Sequence, residues 1–576
     1  MATSSSSIST GTVATSGSST RLTDVSSGLD TDALVNAAYL AKMAPATLLQ
    51  DKITLNTSKI TAYQTLKTDL TTLQAAANAL RNPPGSVGLS TNVFATKATY
   101  LSSADTNEPT SYASVDASTS AKTGNYALVV EQLATANKQK SAAADTASTS
   151  LSSAWNGGSS FSGTLNIGLA GGTSTSITVD GTMSMADLKA AIDAKSSTTG
   201  ISAQIISISS TEQRLVLTGN ETGKAIVATS DAGGDDVASL MGLTDIQSAQ
   251  TAKFSLDGIE FERSSNTIAD AVSGLTFSLF AADSSKTITL SVEQSLADIK
   301  TQISSFVDAY NAVRDYISTQ QATNSDGTYT DAAVLHADPT LRSVTNAISG
   351  DASAGASGLG SDQVRTLAAL GITIDSSNHL VIDDVTLTTK LTTDPDAVEK
   401  VFAFDSTSSD ANLAVTDRGN ALASSSFKVQ ITAGSDGNAQ SVSFIDDATG
   451  TSYAGTIDSS GYLRGAKGTP FEGLEMAWLG AGSTTVQVTA SQGVADKIYN
   501  DLSPVLNAIT GTIATNITDI ASQNLKYNQR ITDITDRASS YKETLINKYA
   551  AMEATLTQLN TLLSSIKAQT SAWNDN

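Results

Sequence analysis

The stretch Ile520-Ala-Ser-Gln-Asn524-Leu-Lys-Tyr527-Asn-Gln-Arg-Ile531-Thr-Asp-Ile534-Thr-Asp-Arg-Ala538-Ser-Ser-Tyr541 places a large or apolar residue every third or fourth position. The series continues through Leu545, Lys548, Met552, Thr555, Leu559, Leu562, Ile566 and Gln569 to Trp573, and only Asn524, Lys548, Thr555 and Gln569 interrupt it. Three-four spacing is the signature of a helix with one greasy stripe. From Ile517 to Trp573, at 1.5 Å per residue, such a helix is roughly 85 Å long. One small domain cannot cover a stripe of that length. It must be covered by another helix, of the same chain or of another copy.

Working outward, the nearest candidate partner lies at the other end of the chain. Tyr63, Leu66, Leu70, Leu73, Ala77 and Leu80 form a second seam, closed by Pro83-Pro84-Gly85. The spacing predicts that this seam pairs with part of Ile517–Ile566. Upstream, Ser27-Gly28-Leu29-Asp30-Thr31-Asp32 reads as a turn followed by a helix cap supplied by Asp30 or Thr31. A short helix is expected to about Met43, with Pro45 interrupting it and opening a second helix. The proposed assembly seam therefore comprises Tyr63, Leu66, Leu70 and Leu73 with Ile517, Ile520, Ile531, Ile534, Tyr541, Leu545, Leu559, Leu562 and Ile566. A third stripe, Ile299, Ile303, Phe306, Tyr310, Val313 and Ile317, reads better as ordinary core.

Between the helical ends the period changes to two. Short strands are expected around Leu165–Leu169, Ile177–Val179, Ala203–Ile208, Leu215–Leu217, Phe254–Phe261 and Thr276–Phe280, with one helix at Met185–Ala194. Further on, a helix at Pro339–Ile348, strands near Gly371–Ile374 and Leu380–Ile382, a helix at Asp396–Phe402 and a β-rich stretch Phe427–Thr489 follow. The fold class is α+β and multidomain: a terminal α-helical coiled-coil leg with inserted β-rich head domains. The expected division is a disordered N-terminal or export arm (1–22), N-terminal leg helices (23–85), a β-rich head (86–290), a mixed helical body (291–426), an inserted β-rich domain (427–490) and a C-terminal coiled-coil helix (491–576).

Composition narrows function. The 576 residues include 56 acidic against 34 basic side chains, a net charge of −22. That disfavours nucleic acid and anionic membrane surfaces, and the densest basic patch is only Lys138 and Lys140. No stretch approaches a membrane span. With no cysteine, thiolate metal sites, disulfides and Cys nucleophiles are excluded. Met1–Thr20 is an uncharged Ser/Thr/Gly tract, read either as an idle tail or as a leader engaged by a specialised export channel.

The two histidines, His336 and His379, sit in polar, loop-prone stretches and read as solvated. No G-x-S-x-G elbow occurs, and Gly355–Gly360 lacks dinucleotide-loop spacing. Asn324-Ser-Asp326-Gly327 approaches a calcium loop, but Leu335 stands where the bidentate acid belongs. Neither cofactor nor metal is expected, and the chain reads as a non-enzyme. A secreted hydrolase would need a converging acid pair that nothing singles out.

Several motifs occur in a shared order. Ser27–Asp32, Lys42-Met-Ala-Pro45 and Ile60-Thr-Ala-Tyr-Gln-Thr-Leu-Lys67 come first, then Thr123–Tyr126 with Val129–Ala134. Ser162–Leu165 through Arg214–Thr218 and Glu221–Gly223 resembles the β module shared by flagellar caps and flagellins, at about 160–230. Phe254–Gly258, Arg263–Thr267, Phe306–Asn311, Asp338–Arg342, Leu370–Ile372, Asp394–Val398 and Tyr527–Ile531 complete the series. Together they resemble the flagellar hook-associated protein 2 family, the filament cap. The resemblance implies a ring of copies, commonly a pentamer, that guides exported flagellin to its lattice site. It also implies as partners flagellin, hook-filament junction proteins and a cytosolic export chaperone covering the C-terminal helix. The alternatives are a secreted adhesin or another axial component such as a flagellin or junction protein. Phe427–Thr489 departs from the family pattern, and Phe471, Leu474, Met476, Trp478 and Leu479 read there as core in preference to a contact patch.

Overall fold

In the computed structural model, residues 12–16, 19–23, 29–82, 92–418 and 426–574 are described, with backbone alone for 12–16, 19–23 and 572–574. The end signal Pro83–Gly85, the residues 24–28 of the entry turn and the Trp573 side chain lie outside that description. The chain divides into two units. One comprises Met1–Arg81, Ile303–Ala414 and Arg418–Asn576, the other Asn82–Gln302 with Val415–Asp417.

In the first unit Asp30 caps the N-terminal helix, accepting the Ala33 N–H at 2.8 Å. That helix then runs unbroken from Thr31 to Leu80, so the expected division at Pro45 is corrected. Pro45 forfeits one backbone bond and crowds the carbonyl one turn back. The helix continues because this stretch is packed on a partner helix: Ala46 is buried, and Lys42 and Pro45 share a groove with Ile534, Arg537, Ala538 and Tyr541. The partner is the C-terminal helix, Thr512–Asn574. At 1.5 Å per residue the two helices are about 75 and 95 Å long.

They run antiparallel. Tyr63 lies level with Asn516, Asn56 with Gln523 and Asn524, Lys52 with Tyr527, and Tyr39 with Lys542. The expected pairing of Leu66–Leu80 with the C-terminal helix is therefore also corrected. By the level of Tyr63 that helix has nearly reached its start at Thr512. Leu66–Leu80 are covered instead by the preceding helix, Val494–Leu506: the Gln74 amide donates to the Tyr499 carbonyl (3.3 Å) and to Ser503 Oγ (3.1 Å).

The arm expected to be disordered up to residue 22 is corrected in part. Thr12–Ser16 and Ser19–Thr23 pair as an antiparallel hairpin that lies against the C-terminal helix. Mutual backbone bonding and that contact together offset the entropy of ordering a polar tract. Residues 1–11 lie outside the description.

Helix Pro339–Ala354, capped by Asp338, extends a turn and a half past the expected Ile348. The stripe Ile299–Ile317 sits on helix Leu296–Gln321 and is buried throughout, as the core reading expects. Phe306 meets Phe402 edge to face at 5.9 Å. Seven strands of an eight-stranded sheet then follow as antiparallel neighbours in the order 404–408, 484–492, 426–433, 439–446, 452–457, 463–465 and 475–478. Phe427, Phe444 and Phe471 pack together at its centre, 5.1–6.4 Å apart. Leu474 and Met476 are core, whereas Leu479 is 83 % exposed.

The second unit holds two cores. One gathers Leu128, Phe254, Phe277, Leu290 and Val292, with strand Gly124–Gln132 hydrogen-bonded on both sides. Phe254–Phe261, expected as one strand, is a hairpin, Ala252–Leu256 with Ile259–Arg263. Asp257 and Gly258 take φ of 50° and 81°, the left-handed pair that a two-residue turn demands. The other core lies between a four-stranded and a three-stranded sheet and includes Leu165, Ile177, Leu188, Ile192, Ile201 and Leu217. Its helix Met185–Asp193 starts with a Ser184–Asp187 capping box.

Candidate assembly surface

The helix pair is held by an apolar stripe with polar locks at defined levels. At one level the Asn516 amide donates to Tyr63 Oη (3.0 Å) and Thr340 Oγ1 (2.9 Å), and Tyr63 donates to Asp338. Asp338 also accepts from the N–H groups of Thr340 and Leu341, so two helices meet at its carboxylate and Asn516 ties in the third through Tyr63 and Thr340. Burial, together with Asp338, raises the Tyr63 pKa above the ordinary tyrosine value, which keeps the phenol a donor. Seven residues toward the N-terminus the buried Asn56 amide donates to Gln523 Oε1 (3.0 Å) and Asn524 Oδ1 (2.8 Å). Lys42 over Tyr541, Lys52 over Tyr527 and Lys542 over Tyr39 add cation–π contacts at 5.2, 5.9 and 5.3 Å.

Apart from Tyr541, the sequence-derived seam residues divide into three groups. Tyr63, Leu66, Leu70 and Leu73 are fully buried, but only Tyr63 meets the C-terminal helix at a bond given above. Ile517, Ile520, Ile531, Ile534 and Leu545 are half-buried along the helix pair. Leu559, Leu562 and Ile566 stand exposed at 54, 57 and 47 %, and Leu563 beside them at 51 %. They lie beyond the level at which the N-terminal helix begins.

Tyr541 and Lys548 depart from the strict three-four series: Tyr541 is 40 % exposed and Lys548 is exposed, while Ala538, Ile546 and Glu553 are buried. A straight helix turns every 3.6 residues, so a 3.5-residue stripe drifts about 20° per heptad and the contact passes to neighbouring positions. Asn516 and Ile546 were missed for that reason. The break at Asn524 was the visible trace of a polar partner, though not of its identity.

Chemistry elsewhere is sparse. His336 stacks on Tyr329 at 4.0 Å, and His379 lies 3.1 Å from Asp315. The Asp326 carboxylate accepts the Thr328 N–H and hydroxyl, a local turn. Among the described residues no group of three metal-ligating side chains converges, and no helix is long and apolar enough to cross a membrane. Burial pushes Asp351 up to about 7, aided by Asp501 and opposed by Lys497.

Known proteins resemble this chain in sequence. Residues 249–561 match the family model for the flagellar hook-associated protein 2 C-terminus, and residues 27–137 that for its N-terminus. The chain belongs to the flagellar hook-associated protein 2 family. Residues 164–221 match the flagellin hook IN motif, on the two-sheet core described above. The B-type flagellar hook-associated protein 2 of Pseudomonas aeruginosa is 29 % identical over 61 % of this chain and 73 % of its own. The Escherichia coli flagellar hook-associated protein 2 is 28 % identical over 65 and 78 %. The crystal structure of the Escherichia coli flagellar cap protein D1-D2-D3 domains covers 59 % of this chain and 89 % of that one, at 27 % identity and a TM-score of 0.44. In flagellar hook-associated protein 2 terms, this is a structural protein of the flagellar filament cap.

Proposed function

We propose that this chain acts as one copy of a ring, commonly a pentamer in the family, seated on the distal filament end. Beneath it, exported flagellin is guided to the next lattice site, and the free energy is that of flagellin folding and packing. The helix pair and its overhang form the part that seats on the filament. Before export a cytosolic chaperone covers the overhang, and hook-filament junction proteins are neighbours during assembly.

One observation carries the reading. The C-terminal helix outruns its intrachain partner, leaving Leu559, Leu562, Leu563 and Ile566 about half exposed on one helix. Four large apolar side chains so placed disfavour a solitary molecule. Removing residues 557–576 spares the paired part of the helix. The truncated protein is expected to fold with unchanged melting temperature, while cells carrying it release flagellin into the medium and lack filaments. Normal filaments from the truncation would remove the role assigned to the overhang.

A further inference from the structure

Lys138 and Lys140, the densest basic patch in an acidic chain, gain neighbours from the sheet register. Lys140 pairs across from Val216 and Lys138 from Thr218. Arg214, two residues before Val216, pairs across from Ile206. Cross-strand partners and every second residue share a face. Lys138, Lys140, Arg214 and Ile206 therefore lie on one side of the four-stranded sheet, opposite the side that turns Leu215, Leu217 and Ala203 into the core.

This face is open. Ile206 is 43 % exposed, and Ile208, farther along the same edge strand, is 58 % exposed. Arg214 is paired with Glu212 at 2.8 Å, but neither lysine has a carboxylate partner among the described residues. The three-stranded sheet across the same core turns Leu165, Ile167, Ile177 and Val179 inward. On its outer side the Asn166 amide donates to Asp231 at 2.6 Å, and the exposed Asp235 and Asp236 follow in the same loop. The module is thus bipolar, cationic and apolar on one outer face and anionic at the other.

We propose that the cationic sheet face docks on a second copy of this chain, against the acidic outer side carrying Asp231. Charge complementarity selects that occupant: acidic side chains outnumber basic ones 56 to 34, and both halves of the contact occur on one module. A patch that fits a different patch on the next copy makes a head-to-tail contact, which closes into a ring when the rotation from copy to copy adds to a full turn. This rests on the ring reading and adds the surfaces that close the ring.

The test uses the full chain in native mass spectrometry and sedimentation at 50 and 500 mM salt. K138E/K140E is expected to shift rings to monomers, at least tenfold in the midpoint concentration, with unchanged melting temperature. D231K alone is expected to weaken rings, and the combined triple variant to recover most of the loss. Wild-type rings that loosen at high salt support the contact. Rings of K138E/K140E as tight as wild type overturn the surface while leaving the ring standing, including when that variant loses flagellin binding instead. Wild type that is monomeric throughout overturns the ring reading itself.

Discussion

Asn56 and Asn524 face each other across 2.8 Å, amide to carbonyl oxygen, with Gln523 accepting from the same amide. The pair lies 468 residues apart in sequence. Sliding one helix past the other by a single turn would bury both amides unpaired. A buried polar pair of this kind sets register at some expense of stability.

Asn524→Ala leaves the buried Asn56 amide with one acceptor fewer, and about 1–3 kcal/mol of stability is expected to go. Replacing both asparagines by leucine is expected to restore or exceed wild-type stability while admitting shifted registers. Urea unfolding monitored by circular dichroism checks the first, and crosslinking between engineered cysteines on the two helices checks the second.

Asp496 has no exposed surface and lies between Arg418, which bonds it, and Arg81 at 3.7 Å. Arg81 stacks on Tyr499 at 3.8 Å and Arg418 on Phe404 at 4.8 Å. Asp496→Ala removes the buried carboxylate that Arg418 bonds, and a loss of about 3–5 kcal/mol is expected. Chemical denaturation of the full chain measures it.

Asp351 has its carboxyl pKa raised to about 7, and its Oδ2 is buried without a hydrogen-bond partner. A group whose folded pKa lies above its unfolded value binds the proton more tightly when folded. Its contribution is therefore complete below about pH 4 and is lost as pH rises toward 7. Asp351→Asn is expected to be more stable than wild type at pH 8, with the difference shrinking at pH 5. Melting curves at the two pH values decide.

Pro45 lies inside a continuous helix. Pro45→Ala restores a backbone bond, and about 1–3 kcal/mol of added stability is expected from thermal melts. A destabilised variant would mean that the proline ring itself fills the groove beside Ile534 and Tyr541.

Leu559→Ala/Leu562→Ala/Ile566→Ala alters side chains that touch solvent. Melting is expected to change by less than about 0.5 kcal/mol, whereas flagellin retention at the filament tip is lost. Secreted flagellin in the medium reads this out.

Local rules were legible where the deciding residues sit within a few positions of one another. Asp30 announces its helix because a cap needs only a side-chain oxygen three residues from a free N–H, whereas the caps Ser184 and Asp338 were passed over. The strands flanking Asp257-Gly258 were visible by alternation, although the turn between them was passed over despite its Asp-Gly pair. The stripes near both chain ends were visible because helical spacing repeats. The exposed overhang was not visible, since nothing in a periodic stripe says where its partner stops.

By itself the sequence determined that the ends are helical, that the middle is β-rich, and that no cysteine chemistry operates, because period, caps and composition are local properties. The tertiary structure alone decided which stripe meets which. It gave Leu66–Leu80 to Val494–Leu506 and residues 31–63 to the C-terminal helix, and it left Leu559–Ile566 uncovered. The physical reason is that an apolar stripe is satisfied by any surface of matching shape. Choice among partners rests on chain connectivity and on a few polar contacts, such as Tyr63 with Asn516, that become specific only when the chain has brought them to one level.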